Sequence, residues 1–169
     1  MTVQGVTREV WITDSTPLIV LARIGQLDLL SLFAGPVLIP ELVAAEVRAG
    51  GEDDPAHAAL AEGFGQIVAA HILPAPVAAR GLDAEGAAVL AAALVRPRSR
   101  AVLDDGKARA TASALGIPVI GTLGVIARAR AAGHISAAKP LIEALRQAGF
   151  PADDDLLRAV LHRLGETWP

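Results

Sequence analysis

Val10-Trp11-Ile12-Thr13-Asp14-Ser15-Thr16-Pro17 puts an apolar run, a carboxylate, two consecutive hydroxyls and a proline in immediate succession. Val10 to Ile12 has strand propensity. Ser15 or Thr16 can cap a helix N-terminus, and Pro17 suits a first helical position because its missing N–H would be unbonded there anyway. The reading is strand, tight turn, helix, with Asp14 at the carboxyl end of the strand. In an open α/β sheet, ligands bind outside those ends. Asp14 then has two readings, a helix cap or an acid facing a crevice. Recurrence of the pattern further along favours the second.

Outward from this unit, Leu18 to Ile24 and Leu27 to Phe33 read as short helices closed by Gly25 and Gly35-Pro36. Val37 to Ile39 is the next strand, and Pro40 opens a helix over Glu41 to Ala49. Ala56 to Glu62 is helical, Gln66 to Ile72 a third strand, and Pro74 with Pro76 a rigid linker. Asp83 has the position of an N-cap for a helix over Ala84 to Val95, with Glu85 in its first turn. Arg96-Pro97-Arg98-Ser99-Arg100 reads as a basic loop. Ala101 to Leu103 is a fourth strand, ended by Asp104-Asp105-Gly106, and a helix follows over Lys107 to Leu115. Ile117 to Ile120 is a fifth strand, where Pro118 points to a sheet edge. Gly121-Thr122 starts a helix over Leu123 to Ala132, and two more span about 138–148 and 154–164. Strands alternating with helices predict a three-layer α/β/α fold around a parallel sheet.

The 169 residues, 53 % of them hydrophobic, suit one domain over 1–169, with a core from about 10 to 150 and C-terminal helices reaching 165. Aromatics are only 3 %, so the core is built of Ala, Leu, Val and Ile. No run approaches the roughly 18 apolar residues of a membrane span. Arg8 and Glu9 ahead of a short apolar run do not make a signal peptide. Cysteine is absent, which excludes disulfides and thiolate metal sites. A soluble, cytoplasmic protein is the expectation. The net charge of -3 argues against a protein that coats nucleic acid, but not against an enzyme that handles it through acids and a cation.

Two strand ends carry acids: Asp14, and Asp104 with Asp105. Glu46, on the helix after the second strand, and Glu85, at a helix start before the fourth, can turn toward the same crevice. Four carboxylates without a basic residue between them repel and raise one another's pKa. A hard cation such as Mg²⁺ or Mn²⁺ removes that conflict, activates water and steadies a phosphoryl oxygen.

In these segments the chain resembles the PIN-domain family of metal-dependent ribonucleases, near its VapC-type toxin branch. The matching segments are Ile12 to Ile19, Leu38 to Val47, Leu82-Asp83-Ala84-Glu85-Gly86, and Leu103-Asp104-Asp105 followed by Ala108-Arg109. Ile117 to Val125 is similar to one subgroup. The resemblance implies a five-stranded parallel sheet in the order 3-2-1-4-5, placing the first and fourth strands side by side. It implies an endoribonuclease using Mg²⁺ or Mn²⁺, a homodimer, and an antitoxin protein whose segment covers the active-site groove. Catalytic acids carried over are Asp14, Glu46, Glu85 and Asp104, with Asp14, Asp104 and Asp105 as metal ligands. Related sequences read Gly-Glu where this one has Glu85-Gly86, so Asp83 is an alternative third acid and Asp105 a rival to Asp104.

Ser15 and Thr16 are expected to hydrogen-bond a metal water or a phosphate. Arg96, Arg98 and Arg100 are the expected RNA contact, with Arg80, Arg109, Arg128 and Arg130 as additions. The four histidines lack ligand spacing, and Asp153-Asp154-Asp155 fits a helix cap better than a metal site. Two rivals stand beside the nuclease. One is a PIN-like scaffold that has lost its chemistry and binds RNA or a protein partner, a reading favoured by the Glu85-Gly86 order. The other is a receiver-type regulator, which needs a lysine after the fifth strand where Gly121-Thr122-Leu123 offers none.

Overall fold

A computed structural model of the chain describes residues 8–169. The part of the signal-peptide and domain readings that falls on residues 1–7 lies outside the described residues. Five strands form one all-parallel sheet in the order β3-β2-β1-β4-β5. They are β1 (Val10–Thr13), β2 (Val37–Pro40), β3 (Gln66–Val68), β4 (Ser99–Val102) and β5 (Val119–Ile120). The helices are α1 (Ser15–Arg23), α2 (Asp28–Phe33), α3 (Glu41–Ala49), α4 (Pro55–Ala61), α5 (Ala75–Ala78), α6 (Ala84–Leu94), α7 (Gly106–Ala114), α8 (Thr122–Ala131), α9 (Lys139–Gln147) and α10 (Asp154–Arg163). Helices cover the sheet on both faces, the α/β/α arrangement that the alternating pattern predicts.

β1 is central because it is buried throughout its inner length. Trp11 and Ile12 are completely buried, as are Ile39, Ala101, Val102 and Leu103 beside them. Strands covered on both faces read as continuous apolar runs, and these do. α6 lies across β1, β2 and β4, while α1 packs on α3 and α4, and α8 on α2, α9 and α10. Leu21, Leu30, Leu90 and Ile126 fill the space between helices and sheet.

Four local readings change. The third strand stops at Val68, since beyond it no ladder partner holds the chain; Ile72 is 97 % exposed. The Pro74–Pro76 stretch is not a linker but opens the short helix α5, with a proline in the first turn where no N–H is needed. β4 begins at Ser99, which pairs with Val10, so Arg100 is a strand residue. Asp14, not Ser15 or Thr16, is the N-cap of α1, and Pro17 is its third residue.

Near the far end of the chain, Glu166 turns back onto α9. Its carboxylate accepts from the backbone N–H groups of Ala138 and Lys139 at 2.9 Å each and pairs with Arg130 of α8 at 3.2 Å. No side chain of α9's own start does this work. At the amino end of β1, Glu9 accepts from Arg100 Nε at 2.8 Å and Trp11 Nε1 at 3.1 Å. Burial raises the Glu9 pKa, but these donors outweigh it and hold the carboxyl below its ordinary value.

Candidate active site

Thr13 of β1 pairs with Val102 of β4, and the Asp14 N–H continues that ladder to the Val102 carbonyl at 3.1 Å. The two strands therefore end together, and their next residues, Asp14 and Leu103-Asp104, enter the same crevice mouth. Asp14 is 7 % exposed, and its Oδ1 accepts from the Ser15 N–H at 2.7 Å. It is thus both cap and crevice acid, so the two sequence readings do not compete. Burial pushes its pKa up to about 7; the Ser15 N–H works against this, and the charges of Glu85, Asp83 and Asp104 add to it.

Glu85 joins this acid through Ser15. The Ser15 hydroxyl donates to Glu85 Oε2 at 3.0 Å, across 70 residues of sequence. The other oxygen, Oε1, is buried and has no hydrogen-bond partner. Burial raises the Glu85 pKa, opposed by the Ser15 hydroxyl and reinforced by Glu46 and Asp83. Glu46 is exposed on α3, close enough for its charge to be felt at Glu85. Asp83 is the N-cap of α6, with Oδ1 accepting from the Gly86 N–H at 2.7 Å. Gly86 itself has a packing reason. A Cβ there would stand 2.8 Å from Asp83 Oδ1 and 3.3 Å from the Ala108 Cβ on α7. The unusual Glu85-Gly86 order thus answers the closeness of α6 and α7, and Glu85 still reaches the end of β1.

Asp104 is held differently. Thr122 donates its N–H to Oδ1 at 2.8 Å and its hydroxyl to Oδ2 at 2.6 Å. Burial raises the Asp104 pKa, while Thr122 and the nearby Arg109 guanidinium counter it. Asp105 is exposed and caps α7, its Oδ2 accepting from the Ala108 N–H at 2.8 Å. Thr16 is half-buried on the first turn of α1.

The arginines expected to meet RNA lie elsewhere. Arg100 is four residues before Asp104, about 13 Å back along the strand, and is paired with Glu9. Arg96 donates to the Ala92 carbonyl at 2.9 Å and contacts His71 at 3.2 Å. Arg98 sits in a left-handed turn with φ +61° just before the amino end of β4. All three line the opposite rim of the sheet from the acids. Arg128 stacks over Phe33 at 4.7 Å and Trp11 at 5.6 Å, and Arg130 is taken by Glu166. On the acid side are Arg109, which donates to the Leu103 carbonyl at 2.9 Å, and Lys107, which reaches the Gly81 carbonyl at 3.3 Å. Lys107 and Thr122 are the residues that sequence reasoning missed. Lys107 lies two residues after Asp105, and Thr122 lies inside the Ile117 to Val125 segment; those positions were the available signal.

Among the described residues, no three Asp, Glu, His or Cys side chains converge tightly enough to hold an ion by themselves. The donor chemistry nevertheless fits a hard cation. All the groups are oxygen donors, one carboxylate oxygen is buried without a partner, and the acids raise each other's pKa. Mg²⁺ is commonly bound by one or two carboxylates, completing its shell with waters and substrate phosphates. Asp14 and Glu85, both hydrogen-bonded to Ser15, meet that demand. No described helix is long and apolar enough to cross a membrane. A family model described as a PIN domain matches residues 10–166. No curated protein matches the chain. With its sheet order, its acids at the ends of β1 and β4, and a match over nearly its whole length, the chain belongs to the PIN-domain family, whose members are typically nucleases.

Proposed function

We propose that the protein is a metal-dependent endoribonuclease that hydrolyses RNA phosphodiester bonds with Mg²⁺ or Mn²⁺, as the toxin of a toxin–antitoxin pair. The carrying observation is the meeting of Asp14 and Glu85 on Ser15, with Glu85 Oε1 buried and unpartnered. Such an arrangement is costly unless the acids are protonated or a cation stands among them. Asp14, Glu85 and Asp104 would hold the ion, and Glu46 would add negative charge around it. When bound, the ion supplies Lewis acidity and lowers the pKa of water.

The chain's own groups do the rest. Ser15 orients both acids, through its N–H and its hydroxyl. Burial and the neighbouring acids raise the Asp14 pKa to about 7 without an ion, and a bound cation would draw this carboxyl back to the ionised form in which it serves as a ligand. Lys107, exposed at the rim between α6 and α7, supplies a positive charge for a phosphate. A toxin of this class acts on cellular RNA and so works in the cytoplasm. The homodimer and the antitoxin segment over the groove enter with the same proposal, through the resemblance to VapC-type toxins. The test is cleavage of a mixed RNA pool with Mn²⁺, with a chelator, and by Asp14→Asn. Cleavage needing both the ion and Asp14 supports the reading. Cleavage indifferent to either overturns it, and RNA binding without cleavage supports the scaffold instead.

A further inference from the structure

Asp104 is gripped by the turn after β5, and no other acid of the crevice is held this way. Thr122, the first residue of α8, is completely buried and gives both its hydroxyl and its N–H to this one carboxylate, an oxygen each. Two donors on two oxygens fix the orientation of the carboxylate plane, where a single bond would leave it free to rotate. Gly121 makes the approach possible. A Cβ on it would stand 2.9 Å from Asp104 Oδ1 and 2.8 Å from Arg109 Nη1. Its φ is an ordinary -97°, so the glycine is needed for room and not for backbone freedom. Arg109 closes the other side by binding the carbonyl of Leu103, the residue preceding Asp104.

We infer that Thr122 is a positioning residue of the nuclease centre, with Gly121 giving it access, and that it sets the Asp104 carboxylate in its working orientation. The effect on cleavage rests on the proposed function, whereas the effect on ion binding can be read without it. Hydrogen-bond partners of a ligating group typically change metal affinity or activity by about 10–100-fold. Thr122→Val keeps the shape and the N–H but removes the hydroxyl; Thr122→Ser keeps the hydroxyl.

The experiment measures Mn²⁺ affinity by calorimetry, thermal stability, and kcat and KM on RNA for both variants, with Thr122→Ala replacing the valine variant if that one does not fold. The expected result is a loss of about 10–100-fold in Mn²⁺ affinity and in kcat for Thr122→Val, with KM little changed and most of the loss recovered in Thr122→Ser. A purely structural threonine would lower the melting temperature and leave ion affinity and kcat alone, and that outcome overturns the inference. So does a serine variant as impaired as the valine one. If the wild-type protein binds Mn²⁺ but cleaves no RNA, the nuclease reading fails and ion affinity alone decides for Thr122. If the wild type binds no ion, both are overturned.

Discussion

Asp14 is in strong electrostatic conflict with its surroundings. It is almost fully buried, it lies among other acids, and its pKa rises from 3.8 to about 7. An acid whose folded pKa is raised favours folding while protonated, and that contribution is lost as pH rises from its unfolded pKa through the folded one. For Asp14 the window runs from about pH 4 to about pH 7, and Glu85 and Asp104 shift in the same direction. Glu9, Asp54 and Glu166, with lowered pKa values, contribute in the opposite sense. The difference between wild type and Asp14→Asn isolates the one residue. Without divalent ions the two proteins should be nearly equal in stability at pH 4. Near pH 8 the variant should be more stable, by on the order of 3–4 kcal/mol at most. Chemical denaturation at a series of pH values in chelator checks this, and parallel curves would show that Asp14 is not strained. Adding Mn²⁺ should reverse the order, since the ion stabilises only the protein that binds it.

At the scale of elements, α6 separates two jobs that sequence alone left entangled. Asp83 caps the helix, and Glu85, in its first turn, reaches Ser15. Glu85→Gln should therefore lower Mn²⁺ affinity by roughly tenfold or more and raise the stability of the metal-free protein by relieving buried charge. Asp83→Ala should cost about 1 kcal/mol of stability through the lost cap and leave ion affinity close to wild type. Calorimetry paired with melting curves distinguishes them, and a silent Glu85→Gln would return the third acid to Asp83. The elements that sequence located best are those bounded by local chemistry. α3 runs from Glu41 to Ala49 because Pro40 and Gly50 bracket it. The parts it misplaced depend on distant partners. Ser99 is a strand residue because Val10 lies beside it, and His71-Ile72 is not part of a strand because nothing pairs there. The same rule holds for position at the candidate site: Asp14 at a strand end and Glu85 in a first turn were legible as placements. The grip of Thr122 on Asp104 exists only because β5 lies against β4.

For the whole molecule, the apolar content of α1 and α2 is the first place to look for a partner surface. Most of it is consumed inside the chain: Leu18, Val20, Leu21, Leu29 and Leu30 are buried, and only Leu32 is markedly exposed. The exposed apolar side chains are instead spread over Leu42, Ile67, Ile72, Leu94, Val95 and Leu156. A homodimer thus rests on the resemblance and not on those two helices. Light scattering at tens of micromolar should report twice the 17.3 kDa chain mass. A monomer would remove the dimer from the proposal without touching the site chemistry, since Asp14, Ser15, Glu85, Asp104 and Thr122 all come from one chain.

The turn of Glu166 onto the start of α9 has a consequence in time. A ribosome delivers Ala138 well before Glu166, which lies 28 residues later. At about 5–20 residues per second, Glu166 is added roughly 1–6 s after Ala138, so α9 is complete as a sequence before its cap exists. Chains ending just short of position 166 should therefore be cut in the 133–148 region more readily by protease than chains that include it. Equal cleavage would mean that α9 holds without the returning carboxylate. The start of α9 is thus closed by a group that synthesis supplies late, and no shorter length of chain can complete it.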